Sequence, residues 1–353
     1  MKSKGTVAVA MSGGVDSSIV AYVLKKEGYD LFGITMKHLD KNEDSPSRSC
    51  CSLGDIYDAK KICHDLNIPH YTINLQKEFK SNVLDNFIAG YKRGVTPNPC
   101  VICNRKVKLG ALLEKASQLG ASFLATGHYA ILENGKLYPG VDKNKDQSYF
   151  LSHVEYSNLK KLLLPLGKLT KEEVRAMAVK FRSKVATKRD SSGICFIKSD
   201  FKSFFEENLK KSEKRRGEFV DLEGNVLGHH DGVHNFTLGQ RRGMKVASDR
   251  PLYVKKIEPI SGKITLAEEK DLYGTSIECG NINVLIEGGV DSLNGISCYV
   301  KTRALDTFNL SNIEVEGDKL KIFFEEKVRA ATPGQTAAIY GKDMQVLGSG
   351  IIL

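Results

Sequence analysis

Apolar positions in the first half of the chain fall into short runs separated by longer stretches of helical period. "TVAVAM" (6–11) is a continuous apolar run and reads as a buried strand. "DLFGITM" (30–36), "HYTINL" (70–75) and "SFLATGHY" (122–129) read as further strands. The intervening "SSIVAYVLKKEGY" (17–29), "GDIYDAKKICHDLNI" (54–68), "FKSNVLDNFIAGYKRG" (79–94) and "KVKLGALLEKASQLGA" (106–121) read as helices. This alternation predicts a doubly wound parallel sheet with helices on both faces. One more helix is predicted over "LTKEEVRAMAVKF" (169–181), opened by a capping box of Thr170 and Glu173.

The texture changes near residue 200. After the helical "DFKSFFEENLKK" come short runs punctuated by Gly, Asp and Asn, such as "EFVDLEGNVLG", "ISCYVKTRA" and "QVLGSGIIL". Closely spaced strands of this kind predict antiparallel β-domains. With 353 residues the chain is longer than one hydrophobic core usually supports. The expected layout is a multi-domain α/β plus β protein: an α/β domain over 1–200, a small mixed central domain over 201–262 and a C-terminal β-barrel over 263–353.

Composition adds little to the fold but narrows the setting. Hydrophobic residues make up 41% of the chain, and no run approaches the roughly 20 apolar residues that span a bilayer. The N-terminal apolar run breaks into glycines, so it reads as a strand rather than a signal peptide. A cytoplasmic chain without membrane contact is expected, its eight cysteines reduced. Net charge is +10, and residues 101–200 hold 18 basic against 9 acidic side chains. Such a cluster suits a polyanion such as nucleic acid, although a solvated lysine-rich face gives the same count.

The strongest motif is "SGGVDSS", Ser12 to Ser18, placed between the first strand and the first helix. Glycines let backbone approach an anion, and the helix N-terminus behind them offers unpaired N–H groups and a positive dipole. Asp16 is an odd choice in an anion cradle unless it acts through Mg²⁺. The lysine of a G-x-x-x-x-G-K-[ST] loop is absent, and no G-x-G-x-x-G follows a strand, which excludes the usual GTPase and dinucleotide signatures. The string resembles that of the PP-loop, or N-type ATP pyrophosphatase, superfamily. The resemblance implies ATP binding, activation of a carbonyl oxygen as its adenylate, and release of pyrophosphate.

Other strings narrow the family. "MSGGVDSS", "TPNPCVICN", "LATGHYA", "DQSYFL", "DSSGICFI", "FTLGQRRG" and "TPGQ" occur in this order across nearly the whole chain. Together they resemble the tRNA-specific 2-thiouridylase family. The resemblance implies a PP-loop domain followed by the two β-rich domains, and ATP-dependent replacement of the C2 oxygen of a wobble uridine by sulfur. ATP contacts would be Ala10, Met11, Ser12, Gly13, Gly14, Val15, Asp16 and Ser17, with Met36 and Gly127. Asn98, Pro99 and Cys100 would meet the target base. His128, Lys145, Asp146, Gln147, Arg303, Ala304 and Gln335 would contact the tRNA. Cys103 matches the family's catalytic cysteine and Cys195 its persulfide carrier, the two forming a disulfide when the reaction completes. The implied partners are a tRNA and a sulfur donor, either a cysteine desulfurase or a relay protein. A small-molecule PP-loop ligase of the argininosuccinate or NAD synthetase kind is the alternative, and a non-catalytic RNA-binding protein is a third reading.

The cysteines can also be read without the family. A zinc site wants four ligands, and one CxxC at Cys100 and Cys103 with a lone Cys195 does not supply two pairs. His229, His230 and His234 cluster, but in the β-rich half. Sulfur transfer needs one thiol to carry sulfur and a second to resolve it, which Cys103 and Cys195 supply. Cys63, Cys279 and Cys298 read as buried core thiols, and Cys50 and Cys51 less clearly so. Many family members carry aspartate where Cys100 stands. The third thiol opens a second route, in which Cys100, Cys103 and Cys195 hold three corners of a [4Fe–4S] cluster.

Overall fold

The computed structural model describes residues 4–39, 53–181, 185–188, 193–197, 200–210 and 216–353. Its first domain is built on β1 (Thr6–Ala10), β2 (Asp30–Lys37), β3 (His70–Asn74) and β4 (Phe123–Ala125), a hairpin of β5 (Ala130–Glu133) and β6 (Lys136–Pro139), and the short β7 (Leu162–Leu163). The main sheet runs β3-β2-β1-β4-β7 with every pair parallel. Strand order therefore reverses at β1, and a ligand crevice is expected where the loops after β1 and β4 diverge.

Period-two alternation sends neighbouring side chains to opposite faces. Val7, Val9 and Leu31 share one core with α1 (Val15–Lys26) and α2 (Leu53–Asp65). Ala8, Phe32 and Ile34 belong to the core on the other face. There α3 (Gln76–Phe79) passes through a π turn at Lys80–Leu84 into α4 (Asp85–Lys92). Likewise α5 (Pro99–Ile102) passes through a π stretch, Cys103–Ala111, into α6 (Leu112–Gln118). The helix expected from residue 106 thus begins seven residues earlier, because Asn98 caps it with Pro99 in its first turn. The strand expected to reach residue 129 stops at Ala125, freeing Thr126 to His128 as a loop.

Two short helices, α7 (Ser148–Leu151) and α8 (Tyr156–Leu159), precede α9 (Lys171–Lys180), whose capping box is formed. Helix α10 (Phe201–Asn208) leads into the central domain, where Phe204 and Phe205 pack on Phe87 and Phe205 on Tyr91. There β8 (Gly217–Val220), β9 (Val226–His230), β10 (Tyr253–Glu258) and β11 (Lys263–Ala267) form a mixed sheet, ordered β10-β11-β8-β9. The division expected at 262 falls in the β10–β11 turn, and hydrogen bonding carries the central sheet on through Ala267.

The C-terminal domain is a closed barrel of β12 (Tyr273–Val284), β13 (Ser297–Lys301), β14 (Asn309–Glu316), β15 (Lys319–Arg329), β16 (Thr336–Tyr340) and β17 (Val346–Ile352). Its pairs are antiparallel, as the alternating pattern predicts. The barrel docks on the first domain through buried polar contacts. Tyr149 Oη donates to the Thr336 carbonyl at 2.9 Å, and Asn283 Nδ2 donates to the carbonyls of Ser152 and Val154. His153 Nδ1 lies 2.8 Å from Ser349 Oγ. Buried polar groups left unmatched would each cost about 1–3 kcal/mol, so these pairs fix the orientation of the barrel as well as its attachment.

Candidate active site

The loop after β1 is shaped by what its glycines exclude. Gly13 has φ +66°, and a Cβ there would lie 2.3 Å from the Asp55 carbonyl oxygen. A side chain at Gly127, in the loop after β4, would come within 3.0 Å of Asp16 Cβ and 3.2 Å of the Ser17 backbone nitrogen. Ser17 Oγ accepts from the Ser12 N–H and donates to the Gly14 carbonyl, which folds the loop onto the first turn of α1. Gly14 caps that helix without a side chain, leaving its N-terminus open toward the crevice.

Around this loop lies a cavity of about 330 Å³, bounded by Ala10 to Ser17 except Gly13, by Met36, and by Gly127 to Tyr129. Nine of the ten expected ATP contacts therefore meet in one cavity, and Gly13 braces it from behind against Asp55. Four lysines also reach the wall: Lys108, Lys145, Lys171 and Lys188. An anion cradle of backbone N–H groups ringed by ammonium groups fits a polyphosphate.

The carboxylates at the cavity are already matched. Lys171 Nζ holds both oxygens of Asp16, at 2.7 and 2.9 Å, and Tyr129 Oη donates to the same carboxylate at 2.8 Å. Lys188 Nζ bridges the Gly13 carbonyl, Asp55 and Asp58 at 3.0, 2.7 and 2.8 Å. Burial alone would lower the Lys188 pKa, but the hydrogen bonds to Asp55 and Asp58 outweigh it and raise it. Lys171, Lys188, Tyr129 and Asp55 escaped sequence reasoning. Lys171 sat only in a predicted helix start, and nothing in the sequence around Lys188 links it to a loop 175 residues away.

Three residues expected to contact tRNA, His128, Lys145 and Gln147, line the same cavity. Thr126 Oγ1 lies 2.7 Å from His128 Nδ1, and burial, helped by the charge of Lys108, pushes the His128 pKa down to about 3. Gln147 Oε1 accepts from the Tyr129 N–H, and Asp146 accepts from the Gly140 N–H and from the N–H and hydroxyl of Ser148. In the barrel, Arg303 donates to the Ala330 carbonyl and to Thr332 Oγ1. Gln335 Nε2 donates to the Thr96 carbonyl at 2.7 Å, and the Thr96 N–H donates to the Pro333 carbonyl at 2.8 Å. The barrel's "TPGQ" turn thereby grips the segment that leads into the CxxC.

That segment ends at Asn98, whose side chain accepts from the Cys100 and Val101 N–H groups at 3.2 and 3.3 Å. Pro99 is buried, Cys100 half-buried and Cys103 buried, all in the first turns of a helix whose later residues Lys108 and Leu112 face the cavity. Cys195 is half-buried, 3.8 Å from His38 Nε2, and borders the same apolar core as Cys103. Ala304 packs against that core as well. Cys63, Cys279 and Cys298 are fully buried, and burial pushes each thiol up to about 12, as inert core cysteines require. Cys50 and Cys51 lie outside the described residues. Both ring nitrogens of His230 face backbone, Nε2 at the Gly262 carbonyl and Nδ1 at the Gly232 N–H, so this histidine is not a metal ligand.

Comparison with known proteins then decides the family. Residues 5–199 match the tRNA methyl transferase HUP domain, residues 202–268 the tRNA methyl transferase PRC-barrel domain, and residues 286–352 the aminomethyltransferase beta-barrel domain. A tRNA-specific 2-thiouridylase from Caldanaerobacter subterraneus is 44% identical over 100% of this chain and 99% of the relative. Another, from Fusobacterium nucleatum, is 42% identical over 98% and 92%. The chain belongs to the tRNA-specific 2-thiouridylase family. Among solved structures, the U34-tRNA thiolase NcsA of Methanococcus maripaludis, described with a [4Fe-4S] cluster, is 21% identical, with TM-score 0.36 over 60% of this chain and 69% of that one. As a 2-thiouridylase the chain is an ATP-using PP-loop enzyme, for which the glycine cradle and its lysines provide the fit. Mg²⁺ fits at Asp16 only in exchange for the Lys171 or Tyr129 contact that holds its oxygens, with phosphates and water completing the shell. The three-cysteine cluster fits less well: among the described residues no three His, Cys, Asp or Glu side chains come together as a metal site.

Proposed function

We propose that this enzyme replaces the C2 oxygen of a wobble uridine in tRNA by sulfur, consuming ATP and releasing AMP and pyrophosphate. One observation carries the reading: the helix that opens with Cys100 and Cys103 presents Lys108 and Leu112 to the glycine-walled cavity. Adenylation and sulfur delivery thus share one rigid element.

The loop Ser12 to Ser17 and the open end of α1 hold the phosphates, and the neighbouring lysines offset the charge that grows on the leaving pyrophosphate. Mg²⁺ at Asp16 would add to that neutralisation. The Asn98–Pro99 turn receives the flipped base, whose O2 attacks the α-phosphorus. Cys195 carries a persulfide received from a sulfur donor. Its terminal sulfur bonds to C2 and AMP leaves. The Cys103 thiolate then attacks Cys195 Sγ and breaks the S–S bond, and the bonding pair stays with the sulfur of the product. A Cys103–Cys195 disulfide results, to be reduced by an external dithiol before the next turnover. Arg303, Gln335 and the basic 101–200 segment grip the tRNA. Among the described residues no helix is long and apolar enough to cross a membrane.

The test measures pyrophosphate release with and without tRNA, and 2-thiouridine by mass spectrometry. Wild type should release pyrophosphate only with tRNA and make 2-thiouridine, and Cys103→Ser should make none. Retained turnover in Cys103→Ser on a small-molecule substrate would instead establish the ligase reading.

A further inference from the structure

Cys195 is the only one of the described cysteines outside the CxxC that is not fully buried, and its sulfur faces a histidine. That histidine, His38, follows the last residue of β2 and is 2% exposed. It lies two residues beyond Met36, which lines the ATP cavity, so the strand that walls the nucleotide also brings the imidazole to the thiol. The ring is locked rather than free to swing. It packs at 4.6 Å on Phe79, Phe79 packs at 5.9 Å on Phe196, and Phe196 is the residue after Cys195. Phe196 also meets Phe87 and Phe204 edge-on or tilted at 5.1 and 5.4 Å. Aromatic contacts therefore fix both the imidazole and the backbone that bears the sulfur.

We propose that His38 is the positioning residue of the sulfur carrier, with its Nε2 hydrogen-bonded to the Cys195 sulfur and holding that sulfur in its anionic, nucleophilic form. The inference rests on the reading of Cys195 as carrier and extends it to a residue that no sequence motif marks. Its physical need is visible in the same molecule. Cys195 packs against an apolar core, and apolar surroundings disfavour a thiolate. The three fully buried cysteines show the consequence, each pushed up to about 12 by burial. A ring N–H aimed at the sulfur offsets that penalty for both the thiolate and the persulfide anion, and it keeps the sulfur at a fixed distance from the wall of the nucleotide cavity.

The experiment follows iodoacetamide alkylation of each cysteine by peptide mass spectrometry in the full-length chain, without tRNA or ATP. Cys195 in wild type should react readily. In His38→Phe, which fills the volume without a donor, Cys195 should react about tenfold more slowly, the change expected for one unit of thiol pKa. His38→Gln, which keeps an N–H donor, should recover part of that rate. Cys63, Cys279 and Cys298 serve as internal controls, since unfolding would expose them. Equal Cys195 rates in folded wild type, His38→Phe and His38→Gln would overturn the proposal. Normal tRNA thiolation by Cys195→Ser, assayed separately, would instead refute Cys195 as the carrier, while the alkylation result would stand independently of that reading.

Discussion

The nucleotide cavity and the proposed sulfur site meet at the helix that carries Cys103, yet they are built in opposite ways. The cavity is made mostly from backbone: Gly13 at φ +66°, Gly127 packed against Asp16, and the open end of α1. Its geometry rests on close backbone contacts that leave no room for a side chain. The proposed sulfur site would instead draw on side chains of three distant segments: Cys103 on the capped helix, Cys195 beside its aromatic anchor and His38 past β2. The barrel steadies the first of these by gripping Thr96. A phosphate cradle tolerates no added atom, whereas a sulfur relay must let a thiol be loaded, used and reset.

The largest effect should come from breaking the backbone-built half. Gly13→Ala adds a Cβ 2.3 Å from the Asp55 carbonyl and forces a left-handed conformation on a residue that resists it. ATP-dependent pyrophosphate release should fall by at least about a hundredfold, and ATP titration should show weakened binding. Cys195→Ser breaks the other half alone: 2-thiouridine should vanish while tRNA-dependent pyrophosphate release continues at a rate within a few-fold of wild type. Loss of both activities together would mean that the two halves are not separable.

Smaller effects sharpen the comparison at the barrel interface. Gln335→Ala removes the hydrogen bond to the Thr96 carbonyl and leaves the cavity intact. It should raise KM for tRNA several-fold, roughly the 0.5–1.5 kcal/mol of one hydrogen bond, and leave ATP affinity unchanged. Acid should act at the same interface. Burial, aided by Arg105 and Lys106, pushes His153 down to about 3, so it is neutral in the folded chain beside Ser349. An unfolded histidine takes up its proton near pH 6.5, so stability should be full above that value and fall as pH drops toward 3. At pH 5 the loss from this group is about 2 kcal/mol, and His153→Gln should flatten the fall in melting temperature between pH 7 and pH 5.

The fold was legible where the pattern is local and repeated. Apolar runs placed the parallel strands, and the turn-rich second half pointed to antiparallel β-domains, which holds for the barrel but not for the parallel β8–β11 pair of the central sheet. The glycine loop announced its ligand because Gly-Gly at a strand–helix junction carries a meaning that no neighbour supplies. Legibility failed where partners are distant. Lys188 reaches the loop from 175 residues away and Gln335 reaches Thr96 from 239, so only the fold discloses them. Asn98, expected at the target base, spends its side chain on a helix cap. His38 stood unmarked because the histidine and its cysteine share no spacing rule. The cluster of His229, His230 and His234 looked chemical, but His230 bonds backbone and His234 packs on Phe205.

A single-turnover experiment tests the central claim most directly. Enzyme loaded with persulfide is mixed with ATP and a tRNA bearing an unmodified wobble uridine, without added thiol. The tRNA and the cysteine peptides are then quantified together by mass spectrometry. The account predicts one 2-thiouridine for each Cys103–Cys195 disulfide formed. Formation of 2-thiouridine at the wild-type rate by Cys195→Ser, or without any such disulfide, would contradict it.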